Sequence, residues 1–353
     1  MQWSTVVVFF LMGRPQGMRG HELSAIECPH ATLIHPMTER HMRARRELPL
    51  AAHAHAAGHQ GRRALLATEP RALRIHVDMQ LSNLDASLSA YVEEELAPAA
   101  VAAISRYIQV KEPMPGALQL PRVCAEYVTL YNGTVLCSSV EPIDTCGEGD
   151  WTATHNASYF AGYEICDCPD AAETSPDVDC TCTFTEGGGG VPDVDFVLYV
   201  TSGYLQACER STVAVGSYCS QDVSNHRPLA GFANLCPNRI ENATAGLVYM
   251  QQLDILVHEI LHGLVMDDGL YDYFIDSSGK RLGKHNVVQN FTERGVRVHK
   301  IVTPKVREAA AAQLACTPLN GAELENEGGL NMVRPLPILR SVYRILVLGV
   351  TRR

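Results

Sequence analysis

Eleven cysteines between Cys124 and Cys316 constrain this chain more than any other feature. They are Cys124, Cys137, Cys146, Cys166, Cys168, Cys180, Cys182, Cys208, Cys219, Cys236 and Cys316, and a twelfth, Cys28, stands apart near the start. So dense a set reads as a disulfide framework formed in an oxidising compartment. An intracellular zinc module is the rival, fed by Cys166-Asp167-Cys168 and Cys180-Thr181-Cys182. Structural zinc sites typically leave two to four residues between paired cysteines, and these pairs leave one, so disulfides are the preferred reading. Four N-x-S/T sequons, at Asn132, Asn156, Asn242 and Asn290, point the same way. One or two arise by chance; four beside eleven cysteines favour a secreted or cell-surface glycoprotein. Which cysteine bonds which is not readable from spacing.

At 353 residues the chain has room for one large or two modest domains. Its 46% hydrophobic and 19% charged residues supply a sizeable core and exclude wholesale disorder. A formal charge of −10 excludes nucleic acid as the main partner, because phosphate binding needs a basic face. The charge is uneven: Gly13 to Ile75 carries ten Arg against five acidic residues. That segment also holds low-complexity stretches such as Ala51-Ala-His-Ala-His-Ala-Ala57, which fit a disordered arm or a removable pro-segment over residues 21–70. Ahead of it, Val6 to Met12 is an apolar run of about signal-peptide-core length, within residues 1–20. No stretch reaches the eighteen apolar residues of a membrane span, and Ile345 to Val350 is far too short to anchor the chain.

Order is expected to begin at Ala72–Asp78, whose alternation suggests a strand. Leu84 to Val110 reads as a helix that Pro98 kinks or splits. Residues 124–190 look like a stapled, loop-rich insertion closing on Gly187-Gly-Gly-Gly190. Asp195–Thr201 is a buried-strand signal, and Leu229–Leu235 suggests another short strand. Ala243 to Met266 is the strongest helix signal, apolar almost all round and therefore expected to be buried. A last helix is signalled by Thr303 as N-cap with Pro304 at the first position, stopping near Cys316. No internal repeat is visible.

On the apolar helix stands His258-Glu259-Ile-Leu-His262. Two histidines four residues apart share a helix face, so both imidazoles can reach one metal ion. Glu259 projects beside them, where it can take a proton from a metal-bound water and pass it to a leaving amine. Zinc suits this work, lowering the pKa of that water toward ~7 and polarising a peptide carbonyl. The composition yields such a motif about 0.04 times by chance, so a solvated helix face with coincidental residues is the weaker explanation.

Zinc catalysis needs a third protein ligand. A compact metzincin pattern puts Gly at position 265 and the ligand at 268, where this chain has Val265 and Asp268. Valine is a poor occupant of unusual backbone angles, which counts against Asp268. His285 and His299 are further candidates whose ordinary reading is surface loop residues, and Glu293 lacks the acidic helical setting of a gluzincin ligand.

At this point the chain resembles the leishmanolysin family of zinc metalloendopeptidases, the group that includes invadolysin. An ordered series carries the resemblance: Asp195-Phe-Val-Leu-Tyr-Val, Arg227-Pro-Leu-Ala-Gly-Phe-Ala-Asn-Leu-Cys-Pro237, the His258–His262 motif, Val302-Thr-Pro-Lys-Val306, and Cys316-Thr-Pro-Leu-Asn-Gly-Ala-Glu-Leu-Glu-Asn-Glu-Gly-Gly329. It covers Ala72 to Gly329. It implies an α+β, metzincin-like catalytic domain over 71–329, with a mixed sheet, a zinc-binding helix and a cysteine-rich insertion at 124–190. It implies His258 and His262 as zinc ligands and Glu259 as general base. It also implies protein or peptide substrates, and a pro-segment cysteine that blocks the zinc, for which Cys28 is the candidate. The family's third histidine follows its double glycine; after Gly328-Gly329 this chain continues Leu-Asn-Met-Val-Arg-Pro and has no His. Residues 330–353 therefore read as a divergent tail, and the domain as incomplete at its C-terminus. The expected function is zinc-dependent peptide-bond hydrolysis. The alternative is a catalytically inactive surface protein that adheres to or binds cell-surface or extracellular-matrix proteins.

Overall fold

The computed structural model describes residues 71–142, 144–147, 152–169, 179–209, 212–293, 296–313 and 319–324. The expected signal run, the basic arm with Cys28, Cys316, and the stretch from residue 325 through the tail lie outside the described residues.

Three layers organise the body around one four-stranded sheet. The first strand expected from sequence is broken in two, β1 (Arg71–Ala72) and β2 (Ile75–Gln80). The break falls where Leu73 N–H bonds to Ile108 O and Arg74 turns toward Asp195. β1 pairs with β3 (Gln109–Val110). β10 (Phe196–Thr201) runs parallel to β2 on one side and to β12 (Pro228–Leu235) on the other. Its continuous apolar run Phe-Val-Leu-Tyr-Val is what a strand covered on both faces requires. Phe196, Leu198 and Val200 face one apolar cluster, and Val197 and Tyr199 the other. β11 (Ala214–Gln221), a strand not expected from the residue pattern, lies antiparallel to β12 at the sheet edge.

Helices cover one face. α1 (Ala86–Tyr91) begins where the Asp85 carboxylate accepts hydrogen bonds from the backbone N–H groups of Ser87 and Leu88. It continues through a π-helical turn, Val92–Leu96, into α2 (Ala97–Tyr107). Pro98 has no N–H to offer the preceding turn, so the disturbance is absorbed as a bulge rather than as the kink or split expected from sequence. α3 (Gly246–Leu264) packs on β11 and β12 beside them. Its burial starts late: Leu247 and Val248 are exposed, whereas Leu253, Leu256, Val257, Ile260, Leu261 and Leu264 join the core. The apolar first turn thus departs from the expectation of burial throughout.

The cysteine-rich segment forms the third layer and is less loop-like than expected. It consists of short antiparallel pairs: β4 (Cys124–Thr129) with β5 (Val135–Val140), β6 (Thr145–Cys146) with β7 (Ala153–Thr154), and β8 (Tyr163–Asp167) with β9 (Thr181–Thr185). Among the described residues five disulfides staple the body: Cys124–Cys137, Cys146–Cys219, Cys166–Cys182, Cys168–Cys180 and Cys208–Cys236. The two C-x-C pairs face each other across β8 and β9 and are consumed in bonds, which removes the zinc-module rival. Gly187 and Gly188 lie flat on the segment before β8. A Cβ at Gly187 would sit 2.2 Å from Gly162 N, and one at Gly188 would sit 2.2 Å from Ser158 O. Only glycine allows that approach.

Beyond α3, α4 (Lys284–Val287), the sheet of β13 (Val288–Glu293), β14 (Val296–Ile301) and β15 (Ala322–Glu323), and α5 (Pro304–Gln313) enclose a smaller core around Tyr271, Val287, Ile301 and Val306. Thr303 precedes α5 as expected, but its hydroxyl makes no hydrogen bond, so it is not a side-chain cap. Among the described residues no helix is long and apolar enough to cross a membrane.

Candidate metal centre

The site grows out of the last two turns of α3. Gly216 on β11 lets the helix settle on the sheet there, since a Cβ at that position would lie 2.4 Å from Glu259 O. Gly263 opens the next turn in the same way, facing the Ser217 carbonyl. The helix is held low where its polar residues sit. His262 and Glu259 are buried, and His258 is half-buried.

The two imidazoles meet at their Nε2 atoms, 3.0 Å apart, with ring planes 72° from each other. One Glu259 carboxylate oxygen joins them, the three atoms lying within 4.8 Å of one another. Two nitrogens each about 2.0–2.1 Å from a tetrahedral ion stand roughly 3.3 Å apart, so the pair is close to the chord that zinc requires. His262 Nδ1 lies 2.9 Å from Met266 O. A carbonyl only accepts, so Nδ1 carries the hydrogen and Nε2 presents its lone pair. Burial pushes both rings toward the neutral form that binds metals. His258 is held well below its ordinary value by burial and then by the neighbouring His262. His262 is lowered by burial to about 4, its bond to Met266 opposing the shift. The residues present therefore fit a divalent ion as two nitrogen ligands with an adjacent carboxylate.

The other ligand candidates from sequence are not brought to this cluster. Asp268 is exposed and forms an ion pair with Lys284. His285 is exposed on α4, and His299 pairs with Asn290 in the β13–β14 ladder. Glu293 accepts a 2.6 Å hydrogen bond from Lys300. A second grouping of metal-capable residues, Glu164 with Cys166 and Cys182, is spent because its cysteines are bonded together.

Val265 behaves differently from the expected glycine turn. The helix ends there at φ −148° and ψ −36°, without a left-handed turn, and the N–H groups of Val265 and Met266 both bond to Leu261 O. Sequence reasoning missed the residues that follow from this. Ser217 Oγ donates to Asp267 Oδ2 at 2.7 Å, and Asp267 Oδ1 accepts from Gly269 N–H at 2.9 Å. The only signal in the sequence was the small-residue pair Gly216-Ser217 in a β-like run.

Comparison with known proteins follows the same outline. Residues 182–335 match the leishmanolysin peptidase family. A leishmanolysin-like peptidase of Caenorhabditis elegans is 32% identical over 323 residues, 78% of this chain and 46% of that protein. Its Drosophila melanogaster counterpart is 29% identical over 300 residues, 76% of this chain and 42% of that protein. A ciliated left-right organizer metallopeptidase of Xenopus laevis is 35% identical over 156 residues, 42% of this chain and 21% of that protein. The chain spans a little under half the length of the nematode and fly relatives. With the matched segment enclosing α3 and the similarity extending over most of the body, the chain belongs to the leishmanolysin family.

Proposed function

We propose that the chain is a secreted zinc metalloendopeptidase that hydrolyses peptide bonds in protein or peptide substrates. The observation that carries this reading is the pair of imidazoles, one buried and one half-buried, converging at 3.0 Å beside Glu259 on one helix. His258 and His262 hold the ion through Nε2. Zinc, when bound, supplies a Lewis acid that polarises the scissile carbonyl and makes water acidic near neutral pH. Glu259 takes the proton of the attacking water and returns it to the departing amine, with no covalent enzyme intermediate. The helix over a mixed sheet supports the metzincin-like architecture expected from sequence. Four exposed sequon asparagines and five disulfides support secretion. The peptidase descriptions of the relatives favour an enzyme over a non-catalytic binding protein.

Zinc content and cleavage of a peptide library test the reading. The wild-type chain is expected to hold one zinc ion and to lose activity to a chelator, with zinc restoring it. Glu259→Ala is expected to keep the metal and lose about 10²–10⁴-fold in kcat. A wild-type chain that holds no stoichiometric zinc and cleaves no peptide overturns the proposal.

A further inference from the structure

An imidazole ligand is only as well aimed as the group bonded to its other nitrogen. For His262 that group is the Met266 carbonyl, which lies past the end of α3, where the Met266 N–H still bonds to Leu261 O at 2.9 Å. No left-handed glycine locks this end, because Val265 leaves the helix at φ −148°. A second restraint comes from the sheet. Ser217, fully buried on β11, donates its hydroxyl to Asp267 Oδ2 at 2.7 Å across 50 positions of sequence. The other carboxylate oxygen takes Gly269 N–H at 2.9 Å, and the Asp267 carbonyl takes Leu270 N–H at 2.9 Å. The peptide joining Met266 to Asp267 is thus fixed from its far side to the central sheet.

We propose that Ser217 and Asp267 are positioning residues that hold the Met266 carbonyl against His262 Nδ1–H and so aim Nε2 at the metal. The inference rests on the zinc reading above, but its first test needs no metal. In the full-length, metal-free chain with ¹⁵N-labelled histidine, His262 is expected to be the Nδ1–H tautomer. In Ser217→Ala and Asp267→Ala it is expected to become a mixture with Nε2–H. Zinc affinity, measured by competition with a chromophoric chelator, should fall about 10–100-fold in the same variants. Ser217→Thr retains the hydroxyl donor, and Asp267→Asn keeps an oxygen for Gly269 N–H while its amide can donate to the Ser217 hydroxyl; both should restore both signals. Ser217→Cys, near-isosteric with a far weaker donor, covers the case in which the alanine variants do not fold. Alanine variants that melt earlier yet keep the Nδ1–H tautomer and bind zinc within twofold of wild type overturn the proposal and leave a merely structural tether. A wild-type chain that binds no zinc sinks the peptidase reading, while the tautomer result still decides the tether.

Discussion

A buried imidazole packed among aromatic rings resists taking a proton, and His155 is such a group. Its Nδ1 lies 2.7 Å from Tyr199 OH, and its ring meets Phe160 and Tyr199 edge-on. Burial, followed by the charge of Arg122, lowers its pKa to about 4. Unfolded, the side chain titrates near 6.5, so its stabilising contribution is present above that value and drains away as pH falls toward 4. The loss is on the order of 3 kcal/mol. Urea midpoints at pH 7.5 and 4.5 should therefore separate strongly for wild type and much less for His155→Gln. His258 and His262 act equally in both proteins and cancel from that comparison. Gly216 makes a different kind of demand at the same scale. Gly216→Ala drives a Cβ to 2.4 Å from the Glu259 carbonyl, so the helix must lift or the strand must bend. An overpacking cost of about 1–3 kcal/mol, read as a lowered Tm, should accompany a loss of kcat/KM.

At the scale of elements, the disulfides divide by what they join. Cys124–Cys137, Cys166–Cys182 and Cys168–Cys180 close short local hairpins, with separations of 13, 16 and 12 residues. Cys146–Cys219 spans 73 residues and ties the cysteine-rich layer to β11. On chain-entropy grounds, Cys146→Ser with Cys219→Ser should cost about 4 kcal/mol, measured by denaturant unfolding. The short Cys124–Cys137 bridge should cost about 3 kcal/mol in the same assay. None of this pairing was legible in the sequence, because it depends on the antiparallel register of β8 with β9 and on a strand, β11, whose apolar run is too short and mixed to stand out. α3 was legible because nineteen residues of helical periodicity outvote any local ambiguity, and its motif showed by spacing alone. The Ser217–Asp267 bond was not, since only the folded sheet brings those two positions together. The π-helical turn was foreseen only as a disturbance, because Pro98 announces a missing hydrogen bond but not how the helix repairs it.

The whole molecule is closed by one buried carboxylate. Asp195, fully buried at the head of β10, accepts from Arg74 Nε at 2.8 Å, from Met114 N–H at 2.8 Å and from Arg227 at 3.3 Å. Burial alone raises its pKa, but the bonds from Arg74 and Met114 and the charge of Arg227 overcome that and hold it below the usual carboxylate range. The entry to β2, the segment before the cysteine-rich layer and the entry to β12 are thereby knotted together. Asp195→Asn leaves the buried Arg227 guanidinium without its counter-charge and should cost about 3–5 kcal/mol in urea unfolding, far more than the loss of an exposed pair.

β2 and β10 lie side by side, yet their register partners Ile75 and Phe196 stand 121 positions apart in the chain. At roughly 5–20 residues per second of synthesis, β2 emerges about 6–24 seconds before the neighbour that completes it. All three short disulfide loops are made within that interval, so the outer layer can be stapled while the sheet it will cover does not yet exist. Cys146 and Cys208 must wait for partners translated after β10. The architecture therefore sets a timetable as well as a shape: local bridges first, then the parallel sheet, and last the Cys146–Cys219 bond that fastens one to the other.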